Sequence, residues 1–62
     1  MLGQNIRKQR ELAGLTQEQL ADKLGYDRST VAKWENGSKE PLAITVKNIA
    51  DVLEVGIEIL YQ

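Results

Sequence analysis

The apolar residues of this chain recur at helical spacings, and glycines break the pattern into short segments. Glycines stand at 3, 14, 25, 37 and 56, and the stretches between the middle three hold ten and eleven residues, about three helical turns each. In the first stretch Leu2, Ile6 and Ala13 fall near one face while Arg7, Lys8 and Glu11 lie elsewhere. That spacing predicts a helix over residues 3–13, stopped by Gly14 in a left-handed cap. Thr16-Gln17-Glu18-Gln19 has the form of a capping box, so a second helix should begin at 17. Leu20, Ala21 and Leu24 form its inner stripe, and Gly25 supplies the stop.

A third helix restarts almost at once, because Asp27 is placed to cap residues 28–36 while Val31 and Trp34 face inward. Gly37 closes it, and Ser38-Lys39-Glu40-Pro41 reads as a loop, since Pro41 resists a helix running into it. Val46, Ile49, Ala50 and Leu53 then predict a fourth helix over residues 45–54, with 42–44 left open, capped by Thr45 or by the loop. In the tail, Val55, Ile57, Ile59 and Tyr61 alternate like a strand, while Ile57, Leu60 and Tyr61 also fit a helical face. A lone strand has no partner in an otherwise helical chain, so a short fifth helix is expected. An intermolecular strand between two copies is the alternative.

Size and composition narrow the function. Sixty-two residues make one domain, 1–62, and 42% of them are apolar, enough for a folded chain. Without Cys or His there is no thiolate zinc site, no disulfide and no imidazole proton shuttle. A chain this short does not readily enclose a deep substrate pocket either. No enzyme, metal or cofactor is therefore expected. No stretch has the length of a membrane span or the apolar run of a secretory signal, so a soluble, cytoplasmic protein without a membrane partner is anticipated. Eight basic and nine acidic residues leave a net charge of -1, and any basic surface must be local. Residues 41–62 hold Lys47 against Asp51, Glu54 and Glu58, or -2, which leaves +1 on residues 1–40.

Two short helices joined by a tight turn, the second rich in small polar and basic side chains, describe a helix-turn-helix. Ala21 is small where the helices must cross, Gly25 turns the chain, and Val31 returns beneath the second helix. Arg28, Ser29, Ala32, Lys33 and Asn36 share the opposite face of the third helix, leaving it polar and free. Trp34, between inward positions, is read as core and not as a base-stacking platform. Arg7 and Lys8 are separated around their helix, and their part in any contact stays open.

The segments I-R-K-Q-R-E-L-A-G-L-T-Q-E-Q-L-A-D-K-L-G at 6–25, D-R-S-T-V-A-K-W-E-N-G at 27–37 and I-A-D-V-L-E-V at 49–55 resemble the Cro and phage-repressor type of helix-turn-helix regulators, also called the xenobiotic-response-element family. The resemblance covers nearly the whole chain. It implies an all-α, lambda-repressor-like five-helix bundle that binds double-stranded operator DNA as a two-fold homodimer, with the third helix in the major groove. By the family's habit it acts as a transcriptional repressor. It places Arg28, Ser29 and Lys33 against base edges, and Gln17, Asn36 and Lys39 on phosphates or in supporting contacts. It also pairs Arg10 with Glu35.

Chemistry agrees with that sorting. Arg28 can donate two hydrogen bonds to guanine O6 and N7, Ser29 reads less selectively, and Lys33 reaches guanine or a phosphate. The chain departs from the family pattern late: Glu54 stands where Gly commonly follows the fourth helix, Gly56 where a small polar cap is usual, and Leu42 where Ser is frequent. Leu42, Ile44, Val52, Ile59 and Tyr61 exceed what one small core readily absorbs. Ile59 and Tyr61 are accordingly candidates for a dimer interface. The rival reading is a helical protein-interaction module, such as an antitoxin or adaptor without useful DNA affinity.

Overall fold

Thr16 starts the second helix, which packs against the third and fourth. Its Oγ1 accepts from Gln19 N at 3.1 Å, and Gln19 Oε1 accepts from Thr16 N at 2.8 Å. Two backbone donors that a helix start leaves open are thereby satisfied. The computed structural model describes all 62 residues, with helices α1 (Leu2–Leu12), α2 (Gln17–Leu24), α3 (Arg28–Asn36), α4 (Ala43–Leu53) and α5 (Ile57–Leu60) and no strand. The expected stops at Gly14, Gly25 and Gly37 have φ of 76, 82 and 84°.

One apolar core holds the five helices together. Ile6 from α1, Leu20 and Ala21 from α2, Val31 and Trp34 from α3, four residues of α4 and Leu60 of α5 are all buried in it. Each large side chain so buried is worth about 1.5–3 kcal/mol. Leu2, Leu15, Leu24, Val52 and Val55 close its margins. Tyr26 meets Trp34 edge-on, with ring centroids 5.1 Å apart at 77°, a favoured aromatic geometry.

Several boundaries differ from the sequence expectation. Helix α4 begins at Ala43, within the stretch 42–44 that the sequence left open, and Thr45 is a buried residue of its first turn and no cap. The apolar spacing from 46 to 53 does not extend to Ala43 and Ile44, which are exposed ahead of it. Leu42 occupies the cap position, without a side-chain hydrogen bond. At its other end α4 stops at Leu53, and Glu54 takes the left-handed conformation with φ 59°. Val55 N then donates to Ala50 O at 3.0 Å, which turns the chain into α5.

Asp27 stands at the α3 cap position, yet its side chain makes no capping bond; its carbonyl receives Thr30 N at 3.0 Å. Ala13, expected on the inner face of the first helix, lies exposed beyond its end, and Arg10 takes the buried place at that level. Of the two options for the tail, the helical one is realised. Leu60 is wholly buried, and Asn5 Nδ2 on α1 donates to Leu60 O at 3.0 Å and Gln62 O at 2.9 Å, tying down the end of α5.

Candidate nucleic-acid interface

The close crossing of α2 and α3 sets the geometry of the site. Ala21 and Val31 are fully buried between the helices, and Gly25 turns the chain with a positive φ that a side chain would strain. With Val31 and Trp34 turned inward, Arg28, Ser29, Lys33 and Asn36 are exposed on the outer face of α3, and Ala32 is half-buried among them. Trp34, 3% exposed, is a core residue.

Charge on this face is unneutralised. Arg7 pairs with Glu11, Arg10 with Glu35 and Lys47 with Asp51. Arg28, Lys33 and Lys39 take part in no ion pair, and with Lys8 and Lys23 they are the cations left over. Three of these five lie on α3 or the loop that follows it, against the unpaired Asp27 at the α3 cap and Glu40 in the loop, so the local excess is one positive charge on a chain of net -1. Lys39 N donates to Lys33 O at 3.2 Å, which holds the loop against the end of α3. Asn36 Oδ1 accepts from Ser38 N at 2.8 Å, so this side chain shapes the loop.

Behind the face lies a buried ion pair. Arg10 Nε and Nη2 reach Glu35 Oε2 and Oε1 at 2.6 and 3.0 Å, and Arg10 Nη1 donates to Leu15 O at 2.8 Å. The hydrogen bond to Glu35 raises the pKa of Arg10 against desolvation, which lowers it. Gln17 Nε2 donates to Glu35 Oε1 at 3.0 Å, and Arg28 Nη1 donates to Gln17 Oε1 at 3.0 Å. A line of hydrogen bonds therefore joins α1 to the first residue of α3. No side-chain polar atom buried in the domain lacks a partner.

A groove of about 560 Å³ runs between the N-terminal half of α1 and the α3–α4 loop and shares Asn36 and Lys39 with this face. Its rim carries Arg7, Lys8 and Lys39 against Glu11 and Glu40, a mixture of signs that selects for neither anion nor cation. Of the dimer candidates, Tyr61 is exposed and Ile59 half-buried. Sequence reasoning missed the roles of Asn5 and Gly3. A Cβ on Gly3 would strike Trp34 O and stand 2.7 Å from Glu35 O, so α1 approaches the end of α3 closely. Only the glycine within a helical stretch hinted at this.

Five short helices, a tight crossing of the second and third, and a free polar face on the third define a helix-turn-helix domain. The chain belongs to the helix-turn-helix family, whose model matches residues 6–60. The HTH-type transcriptional regulator YqaE of Bacillus subtilis is 40% identical over 62 residues, covering 100% of this chain and 53% of that protein. YazB, also of Bacillus subtilis and also named an HTH-type transcriptional regulator, is 38% identical over 56 residues, covering 90% of this chain and 81% of YazB.

Among solved structures, the restriction-modification controller protein C.AhdI from Aeromonas hydrophila superposes with a TM-score of 0.89 at 34% identity, over 95% of this chain and 89% of that one. SinR, the master regulator for biofilm formation, solved in complex with DNA, gives 0.90 at 27% identity over 100% of both chains. None of these proteins is named as an enzyme. The chain spans about half the length of YqaE. No helix is long and apolar enough to cross a membrane.

Proposed function

We propose that this chain is the sequence-specific DNA-binding module of a transcriptional regulator, inserting α3 into the major groove. The observation that carries this reading is the outer face of α3, where Arg28, Ser29 and Lys33 stand exposed and no carboxylate pairs the two cations. The names of the relatives and the DNA complex of SinR support it. Arg28 and Lys33 supply base contacts with Ser29 beside them. Lys39 takes a phosphate, and Gln17 and Asn36 act chiefly as supports.

The regulator works as a two-fold dimer with recognition helices about 34 Å apart, in the cytoplasm, and represses by occupying a promoter. Tyr61 and the edge of Ile59 form part of the dimer contact, supported by the exposure of Tyr61 at 54%. Selection of binding sites from random duplexes, followed by titration of the selected duplex across a salt series, tests the reading. The expected result is a two-fold symmetric site and log affinity falling linearly with log salt. No enrichment of any sequence, together with tight pairing to a protein partner, would favour an interaction module instead.

A further inference from the structure

Helix α5 has only 4 residues, too few to hold a helical conformation in water unaided. Its last carbonyls, like those of any helix end, have no partner within the helix. Asn5 on α1 provides one from 55 positions away: its Nδ2 donates to Leu60 O at 3.0 Å and to Gln62 O at 2.9 Å. The amide nitrogen carries two hydrogens, one for each carbonyl. Those carbonyls flank Tyr61, whose exposed side chain is the proposed dimer contact.

The other side of α1 meets the end of α3. Gly3 has no Cβ to strike Trp34 O and Glu35 O, so the two helices lie close together there. Gly3 and Asn5 stand about 200° apart around their helix, and α1 is held between α3 and α5. It is also the one helix that makes a substantial contact with both; the other path between them runs through α4 and α2.

We propose that Asn5 is a positioning residue for the dimer contact, fixing Tyr61 relative to α3 and thereby setting the half-site spacing that the dimer accepts. This deepens the DNA-binding reading and rests on it. In a two-fold dimer a tilt of α5 against α1 is applied once in each protomer, and it shifts one recognition helix against the other. Holding Tyr61 before association also keeps the free protomer in its dimer-competent form. An unheld end lowers the apparent dimer affinity by the fraction of that form lost.

Asn5→Asp and Asn5→Ala test the clamp. The first keeps the shape of the side chain, but its carboxylate only accepts hydrogen bonds and faces two carbonyls. The second removes donor and bulk together. Two quantities are measured at a temperature where circular dichroism shows each protein folded. One is the dimer dissociation constant by sedimentation equilibrium; the other is affinity for the selected duplex beside duplexes with the half-sites moved one base pair closer or farther apart. Both variants should weaken dimerisation about tenfold, the loss expected of two hydrogen bonds, with Asn5→Asp at least as impaired as Asn5→Ala. Preference for the parent spacing should fall by a similar factor, while base preference within each half-site stays as in the parent.

A spacing preference unchanged in Asn5→Asp overturns the proposal, whatever the dimer constant. So does a loss in Asn5→Ala with Asn5→Asp close to the parent, because Asn5 would then act by packing alone. A parent chain that stays monomeric and selects no two-fold site sinks the functional reading itself, whereas a dimeric, selective parent with either of the two failures above sinks only the role of Asn5.

Discussion

Arg10 and Glu35 meet through two hydrogen bonds, at 2.6 and 3.0 Å, with side chains only 9 and 4% exposed. Twenty-five positions apart in sequence, they fasten α1 to the end of α3. The net stabilisation of such a pair is small, because desolvation offsets much of the attraction, but removing one partner leaves a buried charge uncompensated. Glu35→Ala should therefore cost about 3–5 kcal/mol, a large part of the roughly 3–9 kcal/mol expected of a chain this size. Replacing both together, Arg10→Met with Glu35→Leu, should cost far less. Urea denaturation of the two variants checks this; equal losses would contradict it.

The pH dependence of that pair follows from its sign. The pKa of Arg10 is raised on folding by the hydrogen bond to Glu35. Its contribution is then fully present below the ordinary arginine value and lost only as pH rises through the raised one. Across the neutral range Arg10 should leave the thermal midpoint unchanged, and melting curves in a buffer series will show whether it does.

Gly3 lies inside α1, where alanine would ordinarily gain about 1 kcal/mol from helix propensity. Here the added Cβ would run into the carbonyl oxygens of Trp34 and Glu35, which are backbone atoms and cannot swing aside. Overpacking of this kind costs about 1–3 kcal/mol, so Gly3→Ala should destabilise on balance. A raised thermal midpoint in that variant would mean that α1 can shift away from α3 at little cost.

Glu54 is the only residue other than glycine with positive φ. A side chain in the left-handed region costs about 1–2 kcal/mol, partly offset by the greater freedom glycine has when unfolded. Glu54→Gly should stabilise the domain by about 0.5–1 kcal/mol, a rise of several degrees in thermal midpoint for a chain this short. An unchanged midpoint would indicate that Glu54 makes a compensating interaction.

What could be read from the chain alone divides by the range of the interaction. The Thr16–Gln19 box and the Gly25 stop depend on residues three or four apart, and the bounds of α2 followed from them. The Arg10–Glu35 pair came only from family resemblance, since no periodicity links positions 10 and 35. Asn5, 55 residues from its partner Leu60, carries no local signal at all. The start of α4 stayed open because Ala43 and Ile44 at its front are exposed, and apolar spacing reports burial and not hydrogen bonding. Leu42 and Ile44, at 73 and 61% exposed, sit in that stretch.

Arg28 and Lys39 should separate the two kinds of DNA contact. Arg28 leads α3, its guanidinium braced on one side by Gln17 and free on the other. Lys39 stands exposed in the loop after α3, beyond the face that carries Ser29 and Lys33. Arg28→Ala should remove about 1–3 kcal/mol of discrimination at one base pair of each half-site, and other positions should keep their preference. Lys39→Ala should weaken every sequence alike and lower the slope of log affinity against log salt by about 0.9. The difference arises because a phosphate carries charge but no sequence, whereas a base edge carries a donor–acceptor pattern that only a directed fork can match. Competition titrations on a panel of single base-pair exchanges, each at several salt concentrations, measure both quantities together. Uniform weakening by Arg28→Ala, or a position-specific loss from Lys39→Ala, would show that α3 is turned in the groove relative to this assignment.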